Sequence, residues 1–254
     1  IQTSLVGSEM CIRDRLIFLI APITFAKSEN LNSAGAYWGV HYYDYTERTT
    51  TKDPFMTLET AIPTVTIGLR DETAIRGDTD NKFSYYTEFS IGEVTYAQHT
   101  GTGGHDHTYW VWQSEAFYAL PANFYTGFGY RHLKDYLSQG GSGGYDRQNQ
   151  MTYLPIGYIF SGEGTLKLQY NILLEGTQFS QLSQIPGHGD LTNTQNEGYG
   201  MEFAYTAPSG GWEVFTKYWN IDDSTLNSST GTKWIINGME PMNETLEIGV
   251  KVAF

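Results

Sequence analysis

The sequence has almost no cysteine and no long apolar segment. Cys11 is the only cysteine among the 254 residues, so a disulfide framework is excluded as the basis of the fold. No run of about 18 apolar residues occurs, which excludes a transmembrane helix. Basic residues are also scarce, since 15 Lys and Arg stand against 28 Asp and Glu for a net charge of −13. So acidic a chain is a poor candidate for binding nucleic acid, and we expect no such partner.

The longest apolar run lies near the start of the chain and reads LIFLIAPITFA, from Leu16 to Ala26. It is too short to span a bilayer but suits the hydrophobic region of a signal peptide. Thr24 and Ala26 are the small residues expected before a cleavage site, so we predict cleavage after Ala26. A buried apolar strand is the alternative. The preceding stretch SLVGSEMCIRDR resembles translated sequencing-adapter sequence. We therefore divide the chain into residues 1–26, an adapter-like stretch plus partial signal peptide, and residues 27–254, a single β domain.

Most of the remaining chain alternates between apolar and polar residues. Leu166, Leu168, Tyr170 and Ile172, for example, are separated by single polar residues, a period that predicts a β-strand with two different faces. Aromatic residues form 15% of the chain and glycines number 28, which suits strands joined by tight turns. The predicted strands are residues 35–46, 60–71, 82–96, 108–120, 124–136, 149–160, 165–177, 198–207, 212–221 and 243–254.

The connections between these strands alternate in length. Short connections rich in turn-forming residues lie at 120–123, 161–164 and 207–211, and Glu72–Asn81 is a longer member of the same side. Long connections lie at 48–58, 99–107, 138–148, 178–196 and 222–242. Short turns at one end and long loops at the other are typical of outer-membrane barrels. A soluble β-sandwich or barrel with an aromatic core is the alternative.

The last predicted strand contains the most specific motif in the chain. It alternates without interruption and ends in an aromatic residue, with Glu247, Gly249, Val252 and Phe254 at the positions that matter. This pattern resembles the C-terminal assembly signal of Gram-negative outer-membrane β-barrels, although valine replaces a common aromatic. The resemblance implies an all-β fold, a single ten-stranded antiparallel up-and-down transmembrane β-barrel. It also implies outer-membrane localisation, insertion by the barrel-assembly machinery, and outer-membrane lipids and lipopolysaccharide as surroundings.

If the apolar faces point to lipid, charged residues on the opposite faces point into a narrow interior. Acidic and basic residues nearly balance there, so we expect them to pair and to fill the lumen. The candidates are Arg70, Glu88, Glu115, Arg131, Lys167, Glu175, Glu202, Glu213, Lys217, Glu247 and Lys251. The excess of acidic residues then falls in loops, where divalent cations shared with lipopolysaccharide phosphates are a possible partner. A merely solvated acidic surface is the alternative.

The predicted long loops also contain residues for two candidate sites, a metal site and a protease-like site. His105 and His107 are two residues apart and could share a metal if extended, but no fixed third ligand is visible. A ten-stranded barrel with Asp and His near its rim also resembles the omptin proteases, which use an Asp pair and an Asp–His pair. The residues concerned are Asp106, His107, Asp222 and Asp223, with His132 and Asp135 as alternates.

We expect no catalytic residues, cofactor or metal. The sequence favours a non-enzymatic barrel with a largely filled lumen and five surface loops, in an envelope-structural or surface-recognition role. A narrow channel for ions or small solutes is the first alternative, and an omptin-like protease is the second.

Overall fold

The computed structural model describes residues 34–253, apart from 50, 61, 78–79, 81, 99–103, 141–143, 226, 231–234 and 239–240. The strands are β1 (Gly35–Arg48), β2 (Pro54–Thr60), β3 (Thr64–Asp71), β4 (Phe83–Gln98), β5 (His105–Ala119), β6 (Phe124–Asp135), β7 (Arg147–Ser161), β8 (Thr165–Ser180), β9 (Leu191–Gln195), β10 (Gly198–Thr206), β11 (Trp212–Ile221), β12 (Asn227–Thr230), β13 (Ile235–Gly238) and β14 (Met242–Ala253). One α-helix of four residues, α1 (Thr73–Arg76), follows β3. Three 3₁₀ segments lie at Pro121–Asn123, Leu137–Gly140 and Leu182–Gln184. In these described ranges no helix has the length and apolar character needed to cross a membrane.

The sheet closes on itself. Neighbouring strands around the barrel pair antiparallel, and β14 returns to pair with β1 from Tyr37↔Ala253 to Arg48↔Met242. β2 and β3 together form the second strand of the barrel, and β9 and β10 together form the eighth. The prediction of an all-β, ten-stranded antiparallel up-and-down barrel is therefore confirmed.

The two faces of the barrel wall have opposite chemical character. On β3, Thr64, Thr66 and Arg70 are buried inside, whereas Ile67 and Leu69 point outward and are more than half exposed, at 58% and 52%. The same alternation runs through β1, β7, β8 and β11. Soluble proteins bury their apolar faces, so this wall has the inverse arrangement. A barrel with an apolar exterior and a polar interior is the arrangement that lipid requires.

Two barrel strands are interrupted, which the sequence did not predict. The ranges 48–58 and 178–196 were predicted as loops, but they contain β2 and β9. Pro63 lies between β2 and β3. A proline has no N–H to donate to a neighbouring strand, so it interrupts the pairing of a strand that has neighbours on both sides. Gly198 begins β10 with a φ of 154°, directly after the break that ends β9. At each break the chain leaves the sheet for a few residues and then rejoins it. The barrel strand therefore extends past the predicted loop boundary.

The predicted difference between the two barrel ends is present in the structure. Tight turns at 121–123, 162–164 and 207–211 lie at one end, which we call the short-turn end. The opposite, long-loop end is more ordered than predicted, because β5 already begins at His105 and β7 at Arg147. The predicted loop 222–242 contains the hairpin of β12 and β13. The proposed signal peptide and cleavage site, within residues 1–33, lie outside the described residues.

Candidate functional site

Charged side chains from opposite walls meet inside the barrel. Arg131 on β6 donates a hydrogen bond to Glu247 on β14, with 2.6 Å between Nη2 and Oε1. These are the fifth and tenth strands of the barrel, so the ion pair crosses its full width. Both side chains are almost fully buried, with 1% and 4% of their surface exposed. Burial strengthens the attraction between the two charges and also makes each charge dependent on its partner.

A second interior cluster joins β4 to β11 and β14. Glu88 forms ion pairs with Lys217 and with Lys251, whose Nζ lies 3.1 Å from Oε2. The hydroxyl of Tyr37 donates to the same Oε2 at 3.0 Å, and Lys217 donates to the hydroxyl of Tyr86 at 2.9 Å. The aromatic rings therefore fill space between the charges and also supply polar atoms to them. Such complete pairing is what a buried charge requires.

At the short-turn end, three cationic side chains surround the carboxylate of Glu72. It accepts a hydrogen bond from Arg76 at 2.7 Å and lies 3.5 Å from Arg70 and 3.3 Å from Lys167. Arg70 also pairs with Glu213 on β11 at 2.8 Å. Because the cations come from β3, α1 and β8, Glu72 ties the connection after β3 to two parts of the wall.

The helix α1 lies inside this end of the barrel. Ala74 and Ile75 are buried, and α1 contacts β4, β5 and β7. Gly77 ends the helix with a φ of 80°, a left-handed conformation that favours glycine. The helix packs into a cluster formed by Tyr37, Tyr86, Phe117, Ala119, Tyr125 and Ile159. The longer connection of the short-turn side is therefore folded inward.

A third set of charges crosses the interior at the long-loop end. Glu47 on β1 forms an ion pair with Arg147 on β7, and these are the first and sixth strands of the barrel. Arg147 also pairs with Asp135 on β6 at 2.7 Å, and Asp135 contacts His107 on β5. The hydroxyl of Tyr45 donates to Glu47 at 3.0 Å. This set joins four strands near the end of the barrel that bears the long loops.

Most residues predicted to line the interior are placed there. Ten of the eleven are buried, with at most 6% of their surface exposed. They are Arg70, Glu88, Glu115, Arg131, Lys167, Glu202, Glu213, Lys217, Glu247 and Lys251. Of these, Glu115 alone has no cation within ion-pair distance among the described residues.

Glu175 is the exception, because it is exposed on the outside of the wall. Tyr153 pairs with Leu173, but the preceding residue Thr152 pairs with Glu175, so Leu174 is an extra residue in β8. Such a bulge reverses the inside–outside phase of the residues that follow it. The prediction for Glu175 was therefore wrong for a reason that a fixed period of two cannot reveal.

Five charged interior residues were not among the predicted ones. They are Glu47, Glu72, Arg76, Asp135 and Arg147. Glu47 lies just beyond the predicted strand 35–46, but it continues the inward phase of Tyr43 and Tyr45. Asp135 likewise shares the phase of Arg131. Asp135 already lies in the predicted strand 124–136, and extending the other predicted strands by their own alternation would have found Glu47, Glu72 and Arg147. No periodic signal marks Arg76.

The two neighbouring histidines lie in β5 and not in a loop. They point to the same side, with ring centroids 5.7 Å apart. His105 stacks on Tyr96, and His107 contacts Asp135. Across the described residues, no three His, Cys, Asp or Glu side chains are grouped in a way that could hold a metal ion.

The protease-like set is not assembled. His107 and Asp135 touch each other, but they are 2% and 0% exposed, and Arg147 also occupies the carboxylate. Asp106 faces outward on β5 and accepts a hydrogen bond from Thr95 at 2.6 Å. His132 faces away from Asp135 and packs on Trp110. Asp222 and Asp223 follow β11.

The residues of the proposed assembly signal lie at the C-terminal end of β14. Glu247 faces the interior, and Gly249 and Val252 pair with His41 and Trp38 on β1. A Cβ added to Gly249 would approach the carbonyl oxygen of Val40 to 2.4 Å, so close strand packing requires glycine there. Phe254 lies outside the described residues, and the role of the signal stays a prediction.

A small cavity lies inside the barrel. Its volume is about 10 Å³, and Tyr45, Arg131, Asn149 and Asn243 line part of it. This volume has room for no more than about one water molecule.

Comparisons with known proteins gave structural neighbours only. No protein-family model matches the sequence, and no curated protein matches it. The outer-membrane protease OmpT from Escherichia coli has a TM-score of 0.43 and 9% identity, covering 91% of this chain and 99% of that chain. An outer-membrane channel from Pseudomonas putida F1 has a TM-score of 0.42 and 12% identity, covering 91% and 99%. The translocator domain of the autotransporter NalP from Neisseria meningitidis has a TM-score of 0.40 and 12% identity, covering 88% and 89%. Similarity at this level carries no inference about activity.

Proposed function

We propose that this protein is an integral outer-membrane barrel with a closed interior, which presents its long-loop end at the cell surface. Its role is structural or recognitive, and it neither transports solutes nor performs catalysis. In this proposal the wall spans the membrane, α1 and the ion pairs fill the lumen, and the long loops supply the surface that faces the environment.

The exterior of the wall supports the membrane location. Large apolar side chains there are about half exposed, including Ile67 at 58%, Phe128 at 54% and Ile248 at 54%. A continuous apolar surface of this kind would drive aggregation in water but is stable in hydrocarbon. Closure of the sheet also pairs the first strand of the barrel with the last, β1 with β14. An open edge between these strands is what the interior of a bilayer would not tolerate.

The ion pairs between opposite walls are the observation that best supports a closed interior. Arg131 with Glu247, and Glu47 with Arg147, each join strands five positions apart around a ten-stranded barrel. Since α1 packs inside the short-turn end, an ion would meet buried charges or packed side chains at three successive places. Opening a path would separate buried ion pairs, each at a cost of several kcal/mol, about 3–5 for a broken pair.

The membrane location can be tested with fluorophores on single cysteines. In a C11S background, cysteines at Ile67 and Ile248 would be labelled and the protein reconstituted with lipids brominated on their acyl chains. We expect strong quenching at both positions, because both side chains point outward. A label at Lys52, an exposed position between β1 and β2, serves as the matched control and should stay unquenched. Equal fluorescence at all three positions would contradict the membrane location.

The orientation can be tested with epitope insertions. An epitope after Lys52 extends the long-loop end, and one after Glu163 extends the short turn between β7 and β8. Antibody should reach the first epitope on intact cells and the second only after the outer membrane is permeabilised. The reverse pattern would mean that the long loops face the periplasm and that surface recognition is not their role.

A further inference from the structure

The interior of the barrel contains one more acid than base. Setting aside Asp146, which lies in the loop before β7, the buried acids among the described residues are Glu47, Glu72, Glu88, Glu115, Asp135, Glu202, Glu213 and Glu247. The buried bases are Arg70, Arg76, Arg131, Arg147, Lys167, Lys217 and Lys251. With the buried His41 and His107 counted as neutral, eight carboxylates against seven Lys and Arg cations leave one surplus negative charge. An uncompensated charge in such an environment costs several kcal/mol.

The surplus can be assigned to one residue. Every other carboxylate in the set has a cation within 4.0 Å, whereas Glu115 has none in the described part of the chain. Glu115 is 3% exposed, so bulk solvent does not screen its charge.

The hydrogen bonds of Glu115 are distributed unevenly. Its Oε1 accepts from the hydroxyl of Tyr153 at 2.7 Å, from Gln169 at 2.9 Å and from Gln113 at 3.3 Å. Its Oε2 has no partner. These three donors therefore all bond to Oε1, whereas Oε2 is buried without a hydrogen-bond partner among the described residues. This is the arrangement of a neutral carboxylic acid, in which the carbonyl oxygen accepts and the hydroxyl donates elsewhere.

A second buried carboxylate oxygen without a partner lies on β10. Glu202 on β10 is the direct cross-strand partner of Gln169, whose amide is bonded to Glu115. Glu202 is 4% exposed, and its Oε2 is likewise without a partner. Its other oxygen is held by Lys167 at 2.7 Å. Two buried carboxylates repel each other unless a proton neutralises one of them.

We propose that Glu115 and Glu202 form a binding site for one proton inside the barrel. The proton resides on Oε2 of Glu115, which donates to Oε2 of Glu202 and so gives both orphaned oxygens a partner. It also balances the eight acids against seven bases. Lys167 and Lys217 are the cations that act on Glu115 from the surrounding wall, but each is already bonded to another carboxylate, Glu202 and Glu88 respectively.

The direct test is the infrared spectrum of the folded full-length protein at neutral pH, in a detergent without ester or carboxyl groups. A neutral carboxylic acid has a C=O stretching band that a carboxylate lacks. We expect this band in the wild type, its loss in the E115Q variant, and its retention in E175Q, the control with an exposed glutamate. Absence of the band from the wild type, or its persistence in E115Q, would overturn the proposal.

Stability supplies the second readout. Glutamine has the shape of a neutral glutamic acid, and its amide can donate to Glu202, so E115Q should lower the folding equilibrium constant by less than about tenfold. E247Q removes the partner of a buried arginine and should lower it by about 100-fold or more. Equal losses in the two variants would show that Glu115 is charged. Stabilisation of the wild type but not E115Q by added Na⁺ or Ca²⁺ would show a metal site instead, and would also overturn the proposal.

Discussion

At the scale of single residues, burial determines which charged side chains contribute most to the free energy of unfolding. Arg131 and Glu247 are the clearest case, because their ion pair spans the barrel and neither side chain reaches solvent. Replacing Glu247 with Gln leaves the guanidinium of Arg131 buried without its full compensating charge. We expect a loss of about 3–5 kcal/mol in the free energy of unfolding, measured by urea titration of the refolded barrel.

Glu175→Gln is the control for this prediction. The residue is exposed, so the change should stay within about 0.5 kcal/mol. A loss at Glu175 as large as that at Glu247 would contradict the inside–outside assignment of β8.

The same residues show how far sequence reasoning reaches at this scale. The alternation of single strands was enough to place Arg131 and Glu247 on inward faces. It could not indicate that they touch, because the contact joins residues 116 positions apart in the chain. Glu175 was misplaced by one bulge, since a single extra residue reverses the phase of everything beyond it.

At the scale of elements, α1 is the part that sequence reasoning missed. Its four residues are too few for a helical period, and its connection was identified only as unusually long for the short-turn side. The interrupted strands were missed for a related reason. β2 reads PFMTLET, in which two neighbouring apolar residues hide the alternation, and pairing with β1 and β4 supplies the order instead.

The packing of α1 gives a prediction for Ile75. This side chain is 2% exposed among aromatic residues of the interior. Ile75→Ala should therefore cost about 2–5 kcal/mol of unfolding free energy, from lost burial and the cavity left behind. Ile62→Ala, at a position that is 44% exposed, is the matched substitution and should cost clearly less. Similar costs at both positions would mean that α1 does not pack inside the barrel.

The glycine at the end of α1 gives a second prediction, which tests the backbone conformation separately from side-chain packing. Gly77 has a φ of 80°, and a Cβ added there meets no atom within 4 Å. Gly77→Ala should therefore cost about 1–2 kcal/mol of unfolding free energy from the left-handed conformation alone. Gly162→Ala, in an open turn without a positive φ, should be nearly neutral in the same denaturation assay. A neutral Gly77→Ala would show that this turn does not hold the left-handed conformation.

At the scale of the whole molecule, the barrel wall and the charged residues buried inside it depend on each other. Ten strands enclose a narrow space, and large side chains such as Trp219, Arg131 and Tyr153 are fully buried within it. The strand number and the polarity of the two faces could be predicted from alternation and loop lengths. The individual contacts of the interior could not, because they depend on strand register, on α1 and on pairs of residues from opposite walls.

The central claim is that no continuous path crosses this interior, and planar-bilayer recording of the purified, refolded full-length protein tests it most directly. A porin inserted into the same bilayers verifies that they report channels. We predict that insertion of this protein produces no unitary current steps. Stable, reproducible steps of a single conductance would contradict a closed interior and would make the protein a channel.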